Sequence, residues 1–296
     1  MKEKVLITGG SGYVGMNLSN LLHQEGYEVI HLSRNPSNNN RFKTYFWDVE
    51  NQKIDTNAIN SVDHIIHLAG AGVFDKRWTQ KRKQEIITSR VNAANLLFTQ
   101  IKSLEIKPKS FISASGVNYY GTKTSEKILT EEDQPGNDFL AHCCVLWEKS
   151  ATQFEQIGLR TVKLRTGIVI GEESQIVKQI LQPIKMGFGA ALGKGSQYLP
   201  WIHIEDLCQL YLKAIKETNM AGEFNAVAPT HITNSELTNK LASSVKKKIW
   251  LPNIPSWVLK LVLGERAEVI LNGSRVSSKK IEQLGFTFKY KNMVFN

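Results

Sequence analysis

VLITGGSGYVG, residues 5–15, runs an unbroken β-type stretch into four glycines and then into a helical pattern. Gly9, Gly10, Gly12 and Gly15 have the spacing at which a chain turns tightly after a strand and lets its backbone approach a pyrophosphate. The helix that follows can then pack closely on the strand, with its first N–H groups facing the anion. A string of glycines alone is a weak signal. Here it follows a strand and opens a helix, so the loop from Thr8 through Gly9, Gly10, Ser11, Gly12, Tyr13, Val14 and Gly15 reads as a nucleotide-binding turn.

Outward from this loop, the first half alternates short β-branched runs with longer amphipathic ones. KVLIT, YEVIHLS, KTYFWDV, VDHIIHLA and PKSFISAS read as strands, and the segments near 13–25, 79–103 and 138–157 read as helices. Nearly continuous apolar strands alternating with helices predict a parallel sheet covered on both faces, an α/β fold. RTVKLRTGIVI reads as a sixth strand. After it come glycine-rich loops, a helix near 206–216 and a segment containing Pro252 and Pro255. The division expected is a Rossmann-type, doubly wound domain over 1–170 and a smaller, partly interleaved α/β substrate region over 171–296.

The end of the second strand bears on the cofactor. NAD-preferring sites place an acid about 20 residues beyond the loop, on the ribose 2′-hydroxyl. This chain has HLSRNP there, with Ser33 and Arg34 and no acid. A guanidinium takes a 2′-phosphate bidentately, so NADP(H) is the expected cofactor.

Composition narrows the classes further. The chain has 296 residues, ordinary apolar and charged fractions, and a net charge of +10. The basic runs DKRWTQKRK and KKK carry no finger, RRM-type or basic-zipper pattern, and read as solvated surface rather than a nucleic-acid site. No apolar run approaches the roughly 20 residues of a membrane span. Three cysteines without a CxxC pair, and a strand starting directly after the N-terminus, fit a reducing cytoplasm and leave no room for a signal peptide. No metal site is expected.

At this point the chain resembles the short-chain dehydrogenase/reductase superfamily, of the extended, sugar-nucleotide-epimerase-like kind. TGGSGYVG matches its glycine pattern, HLAGAG (67–72) the loop after its fourth strand, and LRTG (164–167) and WIHIEDL (201–207) later landmarks. More narrowly it is similar to an epimerase-family subgroup with its own C-terminal domain, DUF1731-like. That likeness is carried by SASGVNYYG, GKGSQYLPWIHIEDL, FNAVAPTHITNSEL and LGERAEVILNGSRVSSKKIEQLGFTFKY, the last placing a family-specific segment over about 248–296. The resemblance implies cofactor contacts from Asp48, at the adenine, from Leu68, Ala69 and Gly70, and from Arg90, which aligns with an asparagine that orders the active site. It also implies a small-molecule substrate, which Arg90 would steer if anionic, and leaves a homodimer open.

Such enzymes move a hydride between nicotinamide and a carbonyl or alcohol carbon, with the proton passing through a Tyr-x-x-x-Lys pair on one helix face. The string occurs once, from Tyr119 to Lys123, but Gly121 in a loop-like context removes the helical geometry. By the family's landmarks the slots fall at Cys143 and Trp147, in AHCCVLWEK, so the pair is absent. Cys143 is then a structural or pocket-lining residue, a proton relay, or a metal or redox thiol. Trp147 has no charge with which to depress a neighbour's pKa. His142 and His203 read as structural. The remaining catalytic candidates are Ser115, for the substrate oxygen, and Tyr119 and Tyr120, as proton donors or a packed pair. Two functions stay open: an NADP(H)-dependent oxidoreductase with an unusual proton donor, or a non-catalytic NADP(H)-binding sensor or scaffold.

Overall fold

The computed structural model describes residues 2–36, 41–293 and 295. The opening run forms β1 (Lys4–Thr8), and the glycine loop delivers the chain into α1 (Tyr13–Gln24). The next strands are β2 (Glu28–Ser33), β3 (Lys43–Asp48), the short β4 (Lys53–Ile54) and β5 (His64–His67). They are followed by α2 (Gln80–Ser103) and β6 (Ser110–Gly116). Beyond β7 (Ile128–Leu129), helix α3 (Phe139–Thr152) tightens into a 3-10 turn over Gln153–Ile157, within the helix predicted for 138–157.

One expectation is corrected. RTVKLRTGIVI is not a single strand. It splits into β8 (Arg160–Thr166), in the main sheet, and β9 (Ile168–Ile170), which pairs with β10 (Trp201–His203) in a separate two-stranded sheet. Gly167 lies at the break, where a side chain would meet the Pro200 carbonyl. Between these strands runs α4 (Gln175–Lys185), and after them α5 (Ile204–Lys216).

The chain then crosses back over the division expected at residue 170. β11 (Gly222–Ala226), which the pattern of apolar residues did not reveal, pairs in parallel with β8 at the sheet edge. The C-terminal part adds α6 (Asn234–Ser244), α7 (Ser256–Leu263), α8 (Ala267–Leu271), β12 (Arg275–Val276) and α9 (Lys279–Gln283).

The main sheet has the order β11-β8-β6-β5-β1-β2-β3-β4, parallel throughout except for the β3–β4 pair. From β1 the chain moves outward through β2 and β3, then returns to β5 on the other side of β1. That reversal opens a crevice at the carboxyl ends of β1 and β5, where ligands bind in open α/β sheets. Alternation along β1 explains the two covered faces. Val5 and Ile7 pack with Leu18, Leu207 and Tyr211 of α1 and α5, while Leu6 packs with Leu97, Phe111 and Phe154 on the opposite side. No helix among the described residues is long and apolar enough to cross a membrane.

Candidate functional site

The crevice is built first by what the glycine loop cannot carry. Gly9 has φ of +71°, a left-handed conformation that glycine adopts without steric cost. A Cβ on Gly15 would sit 2.7 Å from Gly10 Cα, so only a glycine lets α1 start this close to the loop. Helices α2, α3 and α6 have side-chain caps, from Thr79, Asp138 and Thr233. By contrast α1 begins at Gly12, with no side-chain cap and no acid in its first turn. Its first N–H groups are therefore free to receive an anion.

Behind the loop, hydrogen bonds fix its position. The Thr8 hydroxyl accepts from the N–H groups of Leu68 and Ala69, both at 3.2 Å. His67 lies between Thr8 and the Arg90 carbonyl, at 2.8 and 3.1 Å. Since a carbonyl only accepts, His67 donates through Nε2 and takes the Thr8 proton at Nδ1. Burial pushes His67 down to about 4, so it stays neutral. Thr8 thus ties β1 to the loop of Leu68, Ala69 and Gly70 from within the protein, its side chain fully buried.

At the end of β2, Arg34 is exposed and makes no ion pair among the described residues, while the Ser33 hydroxyl accepts from the Asn35 N–H at 3.1 Å. Asp48 is more committed than its expected adenine contact required. Its carboxylate accepts from the side-chain N–H of Asn51 at 2.7 Å and from the Glu50 and Asn51 backbones, and these bonds hold it below the usual carboxylate range.

Across the crevice, α3 presents two pairs of buried residues at helical spacing. Cys143 and Trp147 face α2. The Arg90 guanidinium stacks on Trp147, 4.9 Å from the ring centre, and donates to the carbonyls of Ala71 and Ile86 at 3.0 and 2.8 Å. Burial raises the Cys143 thiol while Arg90 opposes the rise. The indole N–H of Trp147 is buried without a hydrogen-bond partner among the described residues. A buried donor left unmade is costly.

Cys144 and Glu148 face β6 and β8 instead. Burial pushes the Cys144 thiol up to about 12. Glu148 receives the Ser115 hydroxyl at 2.7 Å and both Nε and Nη2 of Arg165, at 2.8 and 2.9 Å. Arg165 also donates to the Tyr120 hydroxyl at 3.0 Å, which in turn donates to Asn225 Oδ1 at 2.7 Å. Burial is the main cause that pushes Tyr120 up to about 12. The hydrogens of Ser115 and Tyr120 are therefore spent inside the protein. Tyr119 and Cys143 carry side-chain hydrogens that no acceptor among the described residues takes up.

Tyr119 lies in a 3-10 turn over Val117–Tyr120 that stops at Gly121, with φ of +82°. Lys123 is exposed beyond that stop, so the Tyr119-to-Lys123 string has no common helix face. His142 is exposed, and His203 caps α5 and stacks on Tyr290 at 3.6 Å. Sequence reading missed Glu148 and Asn225 altogether. The available signal was Lys163 and Arg165, two cations on one face of a central apolar strand, which must find buried partners.

A second space lies on the same side of the sheet, at the carboxyl ends of its strands. A cavity of about 550 Å³ opens beyond the carboxyl ends of β6 and β8, bounded by Asn118, Thr166 and Ile168 on one side and by α4 on the other.

Compared with known proteins, the chain matches the family model described as NAD dependent epimerase/dehydratase family over residues 5–227. A domain of unknown function, DUF1731, matches over 254–293. Epimerase family protein YfhF of Bacillus subtilis (strain 168) is 35% identical over 293 residues, covering 98% of this chain and 95% of that one. The crystal structure of human epimerase family protein SDR39U1 with NADPH superposes with a TM-score of 0.87 at 28% identity, covering 98% of this chain and 96% of that one. A nucleoside-diphosphate sugar epimerase from Corynebacterium glutamicum gives 0.79 at 29%, covering 99% of this chain and 56% of that one.

Proposed function

This chain belongs to the NAD-dependent epimerase/dehydratase family, and on that premise we propose that it is an NADP(H)-dependent oxidoreductase working without a Tyr-x-x-x-Lys pair. The observation that carries the reading is the uncapped, acid-free start of α1 at Gly12, together with an exposed Arg34 that makes no ion pair among the described residues. The first suits a pyrophosphate and the second a 2′-phosphate. The human relative solved with NADPH supports the same cofactor. The indole N–H of Trp147, without a partner among the described residues, adds a donor that a hydroxyl or carbonyl of the dinucleotide would satisfy.

When bound, the reduced cofactor supplies a hydride to a carbonyl carbon. The chain's own groups bind, orient and hold the proton. Gly9 to Gly15 would hold the phosphates and Arg34 and Ser33 the adenosine ribose, with Leu68 to Gly70 behind the loop. Of the four catalytic candidates, Tyr119 and Cys143 are the two whose hydrogens remain available. Tyr119 is the better donor of a proton to a substrate oxygen. Its ring lies 3.4 Å under the guanidinium carbon of Arg165, a fixed positive charge on its face. Cys143 is held protonated by burial.

The spent hydroxyls of Ser115 and Tyr120, with Trp147 in the lysine's slot, favour one second reading: an NADP(H)-binding sensor or scaffold that runs no reaction. Fluorescence titration with NADPH and NADH tests the cofactor. Wild type should prefer NADPH by at least about tenfold and Arg34→Ala should lose that preference; an unchanged preference refutes the assignment. Single-turnover oxidation of bound NADPH against a panel of carbonyl compounds separates enzyme from sensor.

A further inference from the structure

The cavity of about 550 Å³ has the size of a site for one small molecule. Its chemistry is unlike that of a nucleotide-sugar site. No Asp, Glu, Lys, Arg or His is among the residues that line it. Two negative charges of a diphosphate brought there would meet no cationic side chain of the lining, and an uncompensated charge away from water costs several kcal/mol. Arg90, the residue expected to steer an anion, does not line the cavity and is spent on Trp147 and two backbone carbonyls.

Most polar side chains of the lining are committed as well. Thr166 and Thr238 donate to the carbonyls of Leu164 and Asn234, and Asn234 Oδ1 accepts from the Leu192 N–H at 2.7 Å. The Asn272 amide donates to Glu268, and the Ser274 hydroxyl to the Lys123 carbonyl. The side-chain polar groups of Asn118, Gln179 and Tyr198 have no hydrogen-bond partner among the described residues. Asn118 stands in the turn directly after β6, at the carboxyl end of a strand inside the sheet that carries the glycine loop. The rim is apolar and open: Phe74, Ile176 and Phe188 are 42%, 41% and 66% exposed and line the same cavity.

We propose that this cavity binds a neutral, predominantly hydrocarbon molecule with a hydrogen-bond acceptor, entering past Phe188 and Ile176 and anchored at Asn118. It excludes nucleoside-diphosphate sugars. The proposal deepens the oxidoreductase reading, because it names the substrate class for the space on the same side of the sheet as the cofactor crevice. Its binding test is nevertheless independent of turnover.

The test is a titration of the full chain, with and without saturating NADPH, using the neutral lipophilic dye Nile red. A C10–C14 methyl ketone and UDP-glucose are the competitors. One dye should bind per chain, the ketone should displace it, and UDP-glucose at millimolar concentration should not. Ile180→Lys, on the α4 wall, should weaken dye binding at least tenfold with NADPH affinity unchanged. Phe188→Asp, at the exposed rim where folding is not at risk, should weaken it several-fold. Dye binding equal to wild type in both variants, or displacement by UDP-glucose but not by the ketone, overturns the proposal. Dye and ketone binding without any NADPH binding overturns the oxidoreductase reading and leaves the ligand class standing.

Discussion

Arg165 and Glu148 meet through two parallel hydrogen bonds of 2.8 and 2.9 Å, both side chains buried, at a point where α3 crosses the end of β8. The same guanidinium holds Tyr120 at 3.0 Å and covers the ring of Tyr119. The pair therefore sets the geometry of the turn after β6, the turn that also carries Asn118. Removing one partner leaves a buried charge alone. Arg165→Met should lower unfolding free energy by about 3–5 kcal/mol in urea denaturation. The double variant Arg165→Met/Glu148→Leu should lose less than the single one, since it leaves no unpaired ion.

Gly15→Ala tests the loop. The added methyl would press on the Gly9 carbonyl and lie 2.7 Å from Gly10 Cα. The loop must open to admit it, at a cost of about 1–3 kcal/mol by the usual scale of overpacking. NADPH affinity should fall more than tenfold by fluorescence titration, with the far-ultraviolet circular dichroism retained.

Trp147→Lys tests the proposed absence of the pair by placing a lysine at the slot expected for it. It should not be tolerated, because its ammonium would replace the ring on which Arg90 stacks and set two cations side by side in a buried place. A melting temperature several degrees below wild type is expected, with no gain in carbonyl reduction. A variant as stable as wild type, with raised activity, would count against the role given to Arg90.

Two histidines govern the acid side of the stability profile. Burial is the cause that holds His31 and His67 at about 4, well below their ordinary value. Ser19 donates its hydrogen to the Gly15 carbonyl at 2.7 Å, so His31 Nε2 donates to Ser19 and the ring is the neutral tautomer. In the folded state neither ring takes a proton between about pH 6.5 and 4, whereas the unfolded chain does. Stability is therefore full above pH 6.5 and falls as the pH drops toward 4, by about 1.4 kcal/mol per unit for each histidine. Denaturation midpoints measured from pH 7 to 5 should show this slope, and His31→Gln should make it shallower.

Read along the chain, the local features stand as their neighbours dictate. The glycine loop, the uncapped start of α1, the alternation of β1 and the absence of an acid after β2 depend on residues adjacent or one turn apart, and spacing carries that information. Cys143 and Trp147 were legible in the same way, as two positions four apart on one helix. The strand after Arg160 was not: an apolar run looks the same whether it continues in one sheet or breaks into another, and the break at Gly167 comes from the approach of Pro200.

What the sequence alone determined is the α/β class, the nucleotide loop and the candidate groups around it. Only the tertiary structure decided which of those groups are free. Ser115 loses its hydrogen to Glu148, 33 residues away, and Tyr120 to Asn225, 105 residues away. The uncharged cavity likewise joins walls from residue 73 to residue 274. A hydroxyl's availability and a pocket's polarity are set by partners distant in sequence, and no local pattern encodes them.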